Sequence, residues 1–238
     1  MTKTKIEWTE SSWNPITGCT KISDGCLNCY AEKMAFRLKA MGTKGYENGF
    51  EVTLQPHQLD KPLKLKKPQM IFVNSMSDIF HENVPDDYIL KIFEIMNKAH
   101  WHTFQVLTKR PQRLESLRNK INWTKNIWLG TTIESNKYID RVDYIKKTDA
   151  SIKFISFEPL LSSVKEVDLK GIDWVIVGGE SGSGARFIKK EWVYEIKNKC
   201  EDLNIAFFFK QWGGTNKKKS GRLLDGKIYN ELPKIDKV

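Results

Sequence analysis

The chain has 238 residues, of which 40% are hydrophobic and 11% aromatic, so it can form a packed core and is not an intrinsically disordered sequence. No run approaches the roughly 18 apolar residues of a membrane span, and the first ten residues lack the apolar segment of a secretory signal. We therefore expect a cytoplasmic protein with no membrane association. The formal charge of +10 favours polyanionic partners such as nucleic acid, although lysine runs on solvated loops would give the same excess.

Short apolar and β-branched runs recur along the chain and predict seven strands. The predicted strands are residues 13–17, 70–74, 103–107, 127–129, 152–157, 174–177 and 205–209. Amphipathic segments lie between them and predict crossover helices, some of them opened by proline. The predicted helices are residues 29–41, 85–99, 111–119, 136–147 and 189–203.

Strands that are hydrophobic on both faces and alternate with helices predict an α/β fold with a parallel sheet, either a partial or complete β/α (TIM-like) barrel or a doubly wound sheet. The barrel is favoured because a polar cluster follows each strand, where such barrels build their active sites. We predict one domain over residues 1–213, with an insertion or lid near residues 42–68. Residues 214–238 are predicted to form a loop-like extension.

Three of the four cysteines, Cys19, Cys26 and Cys29, form a C-x6-C-x2-C cluster directly after the first predicted strand. A reducing cytoplasm disfavours disulfides, so clustered cysteines are interpreted as metal ligands or reactive thiols. Cys200 stands apart on the apolar face of a predicted helix, and we expect it in the core.

Several ligand assignments are consistent with three clustered thiols. They can bind three irons of a [4Fe-4S] cluster and leave the fourth iron open to a small molecule. A structural zinc would need a fourth ligand such as His57 or His81, and a catalytic zinc site would more usually include histidine. Simple packing is disfavoured because glycines and polar residues flank the cysteines. The iron-sulfur cluster is the favoured interpretation.

Motifs along nearly the whole chain resemble a phage-associated three-cysteine family of unknown function, placed alongside the radical S-adenosylmethionine superfamily of partial β/α barrels. The motifs that carry the resemblance are WNPITGC at 13–19, CLNCYAE at 26–32, FVNSMSD at 72–78, LTKRP at 107–111, FEPL at 157–160, VGGESG at 177–182 and FKQWG at 209–213.

This resemblance implies a [4Fe-4S] cluster on Cys19, Cys26 and Cys29 whose open iron chelates S-adenosylmethionine. It also implies cleavage of that cosubstrate to a 5′-deoxyadenosyl radical, with a reductant or electron-donor protein as partner. The first cysteine gap is six residues here, where the superfamily's usual spacing has three.

The groups of S-adenosylmethionine can be matched to polar residues at the strand ends. Ser75 and Asp78 are predicted to meet its amino group, and Lys109 or Arg110 its carboxylate. Thr131 or Glu134 would meet the ribose, although both residues are equally consistent with solvated loops or helix caps. Gly178 and Gly179 begin a glycine-rich turn that allows close backbone approach to a ligand, although a tight strand-to-helix turn would explain the same residues.

The remaining strand ends supply candidates for catalysis and substrate binding. Glu158, Glu180 and Lys210 are the predicted catalytic residues. Arg186, Gln211 and Trp212 are the predicted substrate-binding residues. Arg186 could bind a carboxylate or phosphate. Lys210, Gln211 and Trp212 combine a cation, an amide and a stacking surface, which suit a base or nucleoside. Packing of Trp212 under a loop is the alternative for that residue.

The sequence therefore predicts an iron-sulfur enzyme of the radical type. Its predicted substrate is a nucleic-acid base or nucleotide, in phage DNA modification. The alternative is a non-catalytic, zinc-stabilised protein that binds nucleic acid or another partner. A salt-sensitive complex that forms without S-adenosylmethionine, together with no release of 5′-deoxyadenosine on incubation with dithionite and the cosubstrate, would favour that alternative.

Overall fold

A computed structural model describes residues 2–4 and 6–234 of the chain. Its strands, numbered in chain order, are β1 (Thr2–Lys3), β2 (Ser11–Trp13), β3 (Ile16–Thr17), β4 (Thr53–Leu54), β5 (Met70–Val73), β6 (Thr103–Thr108), β7 (Ile127–Thr132), β8 (Ile152–Phe157), β9 (Trp174–Gly178) and β10 (Ala206–Gln211). Its α-helices are α1 (Tyr30–Ala40), α2 (Lys61–Lys64), α3 (Asp86–Lys98), α4 (Leu114–Leu117), α5 (Arg141–Lys146), α6 (Lys190–Asp202) and α7 (Lys217–Ser220).

The main sheet has the strand order β1-β2-β5-β6-β7-β8-β9-β10. Seven of these strands are parallel, from β2 onward, and β1 pairs with β2 in antiparallel fashion. Each of these strands follows its neighbour in chain order, as expected when a helical or irregular crossover returns the chain to the same end of the sheet. The predicted fold class, a partial parallel β/α barrel, is confirmed.

The chain divides into two compact units. Unit 1 comprises residues 1–129 and 148–151, and unit 2 comprises residues 130–147 and 152–238. In unit 1, β2, β5 and β6 pair in parallel register, and the fully buried Trp13 packs against Phe104. Helix α3 covers this core with an apolar face repeated at helical spacing, including Ile89, Ile92 and Met96.

Unit 2 has its own core, formed by β8, β9, β10 and the inner face of α6. All five residues of β9 are buried, as expected for a parallel strand covered on both faces. Cys200 lies in this core with no exposed surface, in agreement with its predicted role in packing. Fully burying an aliphatic or aromatic side chain contributes about 1.5–3 kcal/mol, so this apolar cluster stabilises unit 2.

Three predicted elements differ from the structure. The first strand ends at Trp13, and Ile16–Thr17 instead pairs with Thr53–Leu54 in a separate antiparallel ribbon. Proline has no backbone N–H to donate, so Pro15 separates the two strands. The helices predicted at 111–119 and 136–147 each begin as a 3₁₀ turn, at Pro111–Arg113 and Asn136–Tyr138, and continue only as the short helices α4 and α5.

The predicted insertion at 42–68 contains β4, a 3₁₀ turn at Pro56–Gln58 and α2, and is otherwise irregular. The predicted extension from residue 214 is loop-like apart from α7, and Leu224 and Lys227 form a small antiparallel bridge. Its last residues, 235–238, lie outside the described residues. The single-domain boundary at residue 213 stays a prediction. Among the described residues, no helix has both the length and the hydrophobicity needed to cross a bilayer.

Candidate functional site

The three clustered cysteines lie on one loop of unit 1, between β3 and α1. Cys19 follows the ribbon strand, Cys26 ends a 3₁₀ turn at Asp24–Cys26, and Cys29 is the residue that precedes α1. All three thiols are free and partly exposed. The first N–H groups of a helix have no partner within the helix, so Cys29 lies at the end of α1 that favours negative charge.

Gly18 fixes the start of this loop. Its backbone has φ +82°, and an added Cβ would lie 2.1 Å from the carbonyl oxygen of Glu51. Its N–H donates to the carbonyl of Met76 at 3.0 Å, and the N–H of Cys19 donates to the carbonyl of Phe50 at 3.1 Å. Glycine is required here for both the left-handed backbone and the close approach of the two chain segments.

Arg110, one residue beyond Lys109 at the end of β6, holds the cysteine loop. Its Nη1 donates to the Cys19 Sγ at 3.4 Å, and its Nη2 donates to the Thr20 carbonyl at 3.0 Å and the Thr20 hydroxyl at 2.7 Å. Its Nε donates to the Glu82 carboxylate at 2.9 Å. The guanidinium is therefore a fixed cation beside one of the predicted metal ligands.

Asp78 orients the segment that carries Lys109 and Arg110. This buried carboxylate accepts hydrogen bonds from the Thr108 hydroxyl at 2.7 Å and from the Lys109 N–H at 2.9 Å. It also lies 3.7 Å from the guanidinium of Arg110. Its predicted contact with the amino group of a cofactor is untested, and its observed role is to position two cations beside the cysteines.

The thiols of Cys19 and Cys26 experience different electrostatic surroundings. Burial, reinforced by the charge of Asp78, raises the pKa of Cys19 to about 11 despite the opposing effect of Arg110. Burial also acts to raise the pKa of Cys26, but the Ser23 hydroxyl, backbone N–H groups and the charge of Lys109 together lower it below the ordinary value. Lys109 and Arg110 therefore act on different thiols, and both favour the thiolate form.

The donor set fits an iron-sulfur cluster in its chemistry. Three thiols on one loop, with two cations that offset thiolate charge, are the kind of ligands that hold such clusters. Within residues 2–4 and 6–234, no three His, Cys, Asp or Glu side chains are placed to hold one metal ion. A cubane cluster has a different requirement, because each cysteine sulfur binds its own iron atom.

The two histidines considered as zinc ligands have other partners. His81 is fully buried, accepts the Asn83 N–H at its Nδ1 and contacts the Thr20 hydroxyl through Nε2 at 2.8 Å. Since Nδ1 is an acceptor, Nε2 carries the proton in the neutral ring. The Nε2 of His57 lies 2.9 Å from the side-chain amide of Gln58.

Asn74 is a polar residue of this region that the sequence analysis did not select. It follows β5 with φ 60° and is 3% exposed, and neither its amide oxygen nor its nitrogen has a hydrogen-bond partner among the described residues. The neighbouring hydroxyl of Ser75 donates to the Asn14 side chain at 3.2 Å. A buried amide without hydrogen bonds lowers the stability of the fold, because its desolvation is not compensated. Asn74 is therefore a better candidate for a ligand-binding residue than Ser75.

In unit 2, two carboxylates follow strands β8 and β9 and form ion pairs. Glu158 lies 2.8 Å from the ammonium of Lys210 and accepts the Ser156 hydroxyl at 3.0 Å. Glu180 binds Arg186 in bidentate fashion, at 2.9 Å from Nε and 2.6 Å from Nη2. The predicted catalytic residues Glu158 and Lys210 are thus brought together, and Glu180 is paired with a predicted substrate-binding residue.

Tight backbone contacts join the ends of β9 and β10. An added Cβ at Gly179 would lie 2.1 Å from the Trp212 carbonyl oxygen, and one at Gly178 would lie 3.0 Å from the Glu158 carboxylate. The Gln211 amide donates to the Gly179 carbonyl and the Ser181 hydroxyl, while its buried Oε1 has no partner among the described residues. These contacts account for both glycines through the turn, and their predicted ligand-binding role stays a prediction.

Trp212, Thr131 and Glu134 have structural partners within unit 2. The Trp212 ring packs on Phe209 with centroids 4.8 Å apart, and its indole N–H donates to the Leu223 carbonyl. Thr131 is fully buried within β7. Glu134 is also fully buried and pairs with Arg141 at 2.9 Å. Packing explains the positions of Trp212 and Thr131, and an ion pair explains that of Glu134. The predicted ligand contacts of all three stay predictions.

Comparisons with known proteins give one family match and three similar structures. No curated protein matches the chain in sequence. A mutant spore photoproduct lyase with bound AdoMet and dinucleoside spore photoproduct is 11% identical, with TM-score 0.49 over 85% of this chain and 64% of that chain. A second mutant of the lyase is 10% identical, with TM-score 0.49 over 83% of this chain and 75% of that chain.

A third structure, spore photoproduct lyase complexed with dinucleoside spore photoproduct, is 12% identical, with TM-score 0.45 over 80% of this chain and 60% of that chain. The chain thus spans less than two thirds of the length of the first and third of these proteins. The model of a family described as a protein of unknown function, DUF5131, matches residues 3–233. The chain therefore belongs to the DUF5131 family.

Proposed function

We propose that this protein is an iron-sulfur enzyme of the radical S-adenosylmethionine type, with a [4Fe-4S] cluster held by Cys19, Cys26 and Cys29. The observation that supports this most strongly is the single loop of three partly exposed thiols, with Arg110 in contact with Cys19 and Lys109 acting on Cys26. A thiol triad beside the buried Arg110 and the partly exposed Lys109 suits an anionic cluster better than a role in packing. When bound and reduced, the cluster supplies the electron for cleavage of S-adenosylmethionine, and an electron-donor protein is the proposed source.

Unit 1 supplies groups that suit the methionine end of the cosubstrate. Asp78 accepts the backbone N–H of Lys109, and the ammonium group of Lys109 is the proposed partner of the cosubstrate's carboxylate. Asn74 offers both an amide donor and an acceptor, neither of which has a partner among the described residues. A ligand that used these two atoms would remove the desolvation cost that they carry in the free protein.

Unit 2 supplies groups that suit proton movement and substrate orientation. The Glu158 and Lys210 side chains are 2.8 Å apart, both with less than a fifth of their surface exposed. A substrate that displaces one partner could therefore receive a proton from the Lys210 ammonium or give one to the Glu158 carboxylate. The free Oε1 of Gln211 can accept a hydrogen bond from an amide or amino group. We propose a nucleic-acid base or nucleotide as substrate, since the chain carries a net charge of +10.

The experiment that tests this proposal measures 5′-deoxyadenosine. Anaerobically reconstituted protein, incubated with dithionite and S-adenosylmethionine, should release it, whereas a Cys26→Ala variant should not. Cys200→Ala is the matched control, because this cysteine is buried in the core of unit 2. A wild-type protein that carries iron but releases no 5′-deoxyadenosine would contradict the proposal. One equivalent of zinc in place of iron would support the zinc-stabilised alternative instead.

A further inference from the structure

Two neighbouring loops of unit 2 concentrate positive charge. The first covers residues 181–190 after β9, and the second covers residues 212–222 after β10. Together, here called the cationic loop pair, they contain seven Lys and Arg residues and no Asp or Glu. Arg186 pairs with Glu180 and Lys190 with Asp225, and the loop pair keeps an excess of positive charge that attracts a polyanion.

The two loops are joined by their backbones. Ser181 and Gly214 form a parallel bridge, and the N–H of Gly182 donates to the Gly214 carbonyl at 3.1 Å. Both loops follow the carboxyl ends of adjacent parallel strands, so their charges belong to one end of unit 2. Lys189 and Lys219 are exposed there.

Phe187 is the most exposed large hydrophobic residue in the described chain, with 85% of its surface accessible. Its neighbours explain why it stays exposed. On one side, the backbone N–H and the guanidinium of Arg186 are bound to Glu180, and on the other side Ile188 is buried in the core of unit 2. The phenyl ring is therefore presented to solvent between two fixed residues.

We infer that the cationic loop pair binds a single strand of nucleic acid, with a base stacked on Phe187 and phosphates near the exposed lysines. Single-strand sites combine a basic groove with aromatic rings, because every base has a face that can stack. A base paired within a duplex does not offer that face. The role of the cationic loop pair in holding the substrate rests on the proposed function. Binding of the strand itself requires neither the cluster nor the cosubstrate.

The inference is tested with a fluorescein-labelled oligothymidylate of about 12 nucleotides, whose binding is followed by fluorescence anisotropy. The cluster-free protein is used without S-adenosylmethionine. Phe187→Ala should weaken binding about tenfold, Phe187→Trp should keep the wild-type affinity, and Phe187→Leu should resemble alanine. Leu203→Ala is the matched control, because Leu203 is an exposed apolar residue of unit 2 that precedes β10 instead of following it.

The lysines are tested through the dependence of binding on salt. Lys189→Ala and Lys219→Ala should each reduce the slope of log affinity against log salt by about 0.7. Lys170→Ala should leave the slope unchanged, because this exposed lysine precedes β9 and lies at the other end of the strand.

Three results would overturn the inference: wild-type affinity in Phe187→Ala, equal affinity for duplex of the same length, or preference for anionic lipid vesicles over the strand. If 5′-deoxyadenosine forms but no strand binds, the inference fails and the proposed function stands. If the strand binds as described and no 5′-deoxyadenosine forms, the inference stands and the proposed function fails.

Discussion

The two units use buried charge in different ways. In unit 1, one guanidinium, that of Arg110, contacts Cys19, Thr20, Asp78 and Glu82, which come from two separate chain segments. In unit 2, three strand-end carboxylates each pair with a cation from their own unit: Glu134 with Arg141, Glu158 with Lys210 and Glu180 with Arg186. In unit 1, the contacts of one buried cation therefore hold the loop that carries the cysteines. In unit 2, separate ion pairs hold individual loops, and other lysines remain exposed.

The largest expected effect is the loss of the glycine that begins the thiol loop. Gly18→Ala should lower the free energy of unfolding by about 2–5 kcal/mol, because left-handed strain and a backbone clash add together. Gly42→Ala, with φ +64° and no atom within 4 Å of the added Cβ, should cost only about 1 kcal/mol. Urea denaturation of both variants measures the difference. Equal destabilisation would show that the contact with Glu51 is not the constraint.

Removal of a buried guanidinium from each unit separates stability from cluster binding. Arg110→Met and Arg141→Met should each destabilise the protein by about 3 kcal/mol, because each leaves a buried carboxylate without its cation. Only Arg110→Met should also lower the iron bound after reconstitution, since only Arg110 contacts a cysteine. Unchanged iron content in Arg110→Met would contradict the role assigned to this residue.

A smaller effect is expected from His81, through pH. Burial, together with the charge of Arg110, lowers the pKa of His81 below its ordinary value. The unfolded chain therefore binds more protons below about pH 6.5, and this histidine should reduce stability as the pH falls through that value. His81→Gln should flatten the pH dependence of the unfolding free energy in cluster-free protein, and the exposed His100 provides the control His100→Gln. Identical profiles in both variants would contradict this.

The sequence was sufficient for the parallel β/α fold because buried strands and amphipathic helices repeat with different periods. It was insufficient for the site, because contacts such as Arg110 with Thr20 join residues 90 positions apart. Local residue types therefore selected Arg110 but not its role, and they missed Asn74 and Glu82. Polar residues surround Glu134 in the sequence, which suggests an exposed loop. The side chain is nevertheless fully buried, where it pairs with Arg141. Phe187 was missed because its exposure depends on how its two neighbours are anchored.

The account depends most on the cluster of three cysteines, and iron and acid-labile sulfide analysis after anaerobic reconstitution tests it most directly. Wild-type protein and Cys200→Ala should each bind about four irons and four sulfides per chain. Cys19→Ala, Cys26→Ala and Cys29→Ala should each lose most of both. Wild-type protein that binds zinc but no iron and sulfide, or cysteine variants that keep the full cluster, would contradict the account.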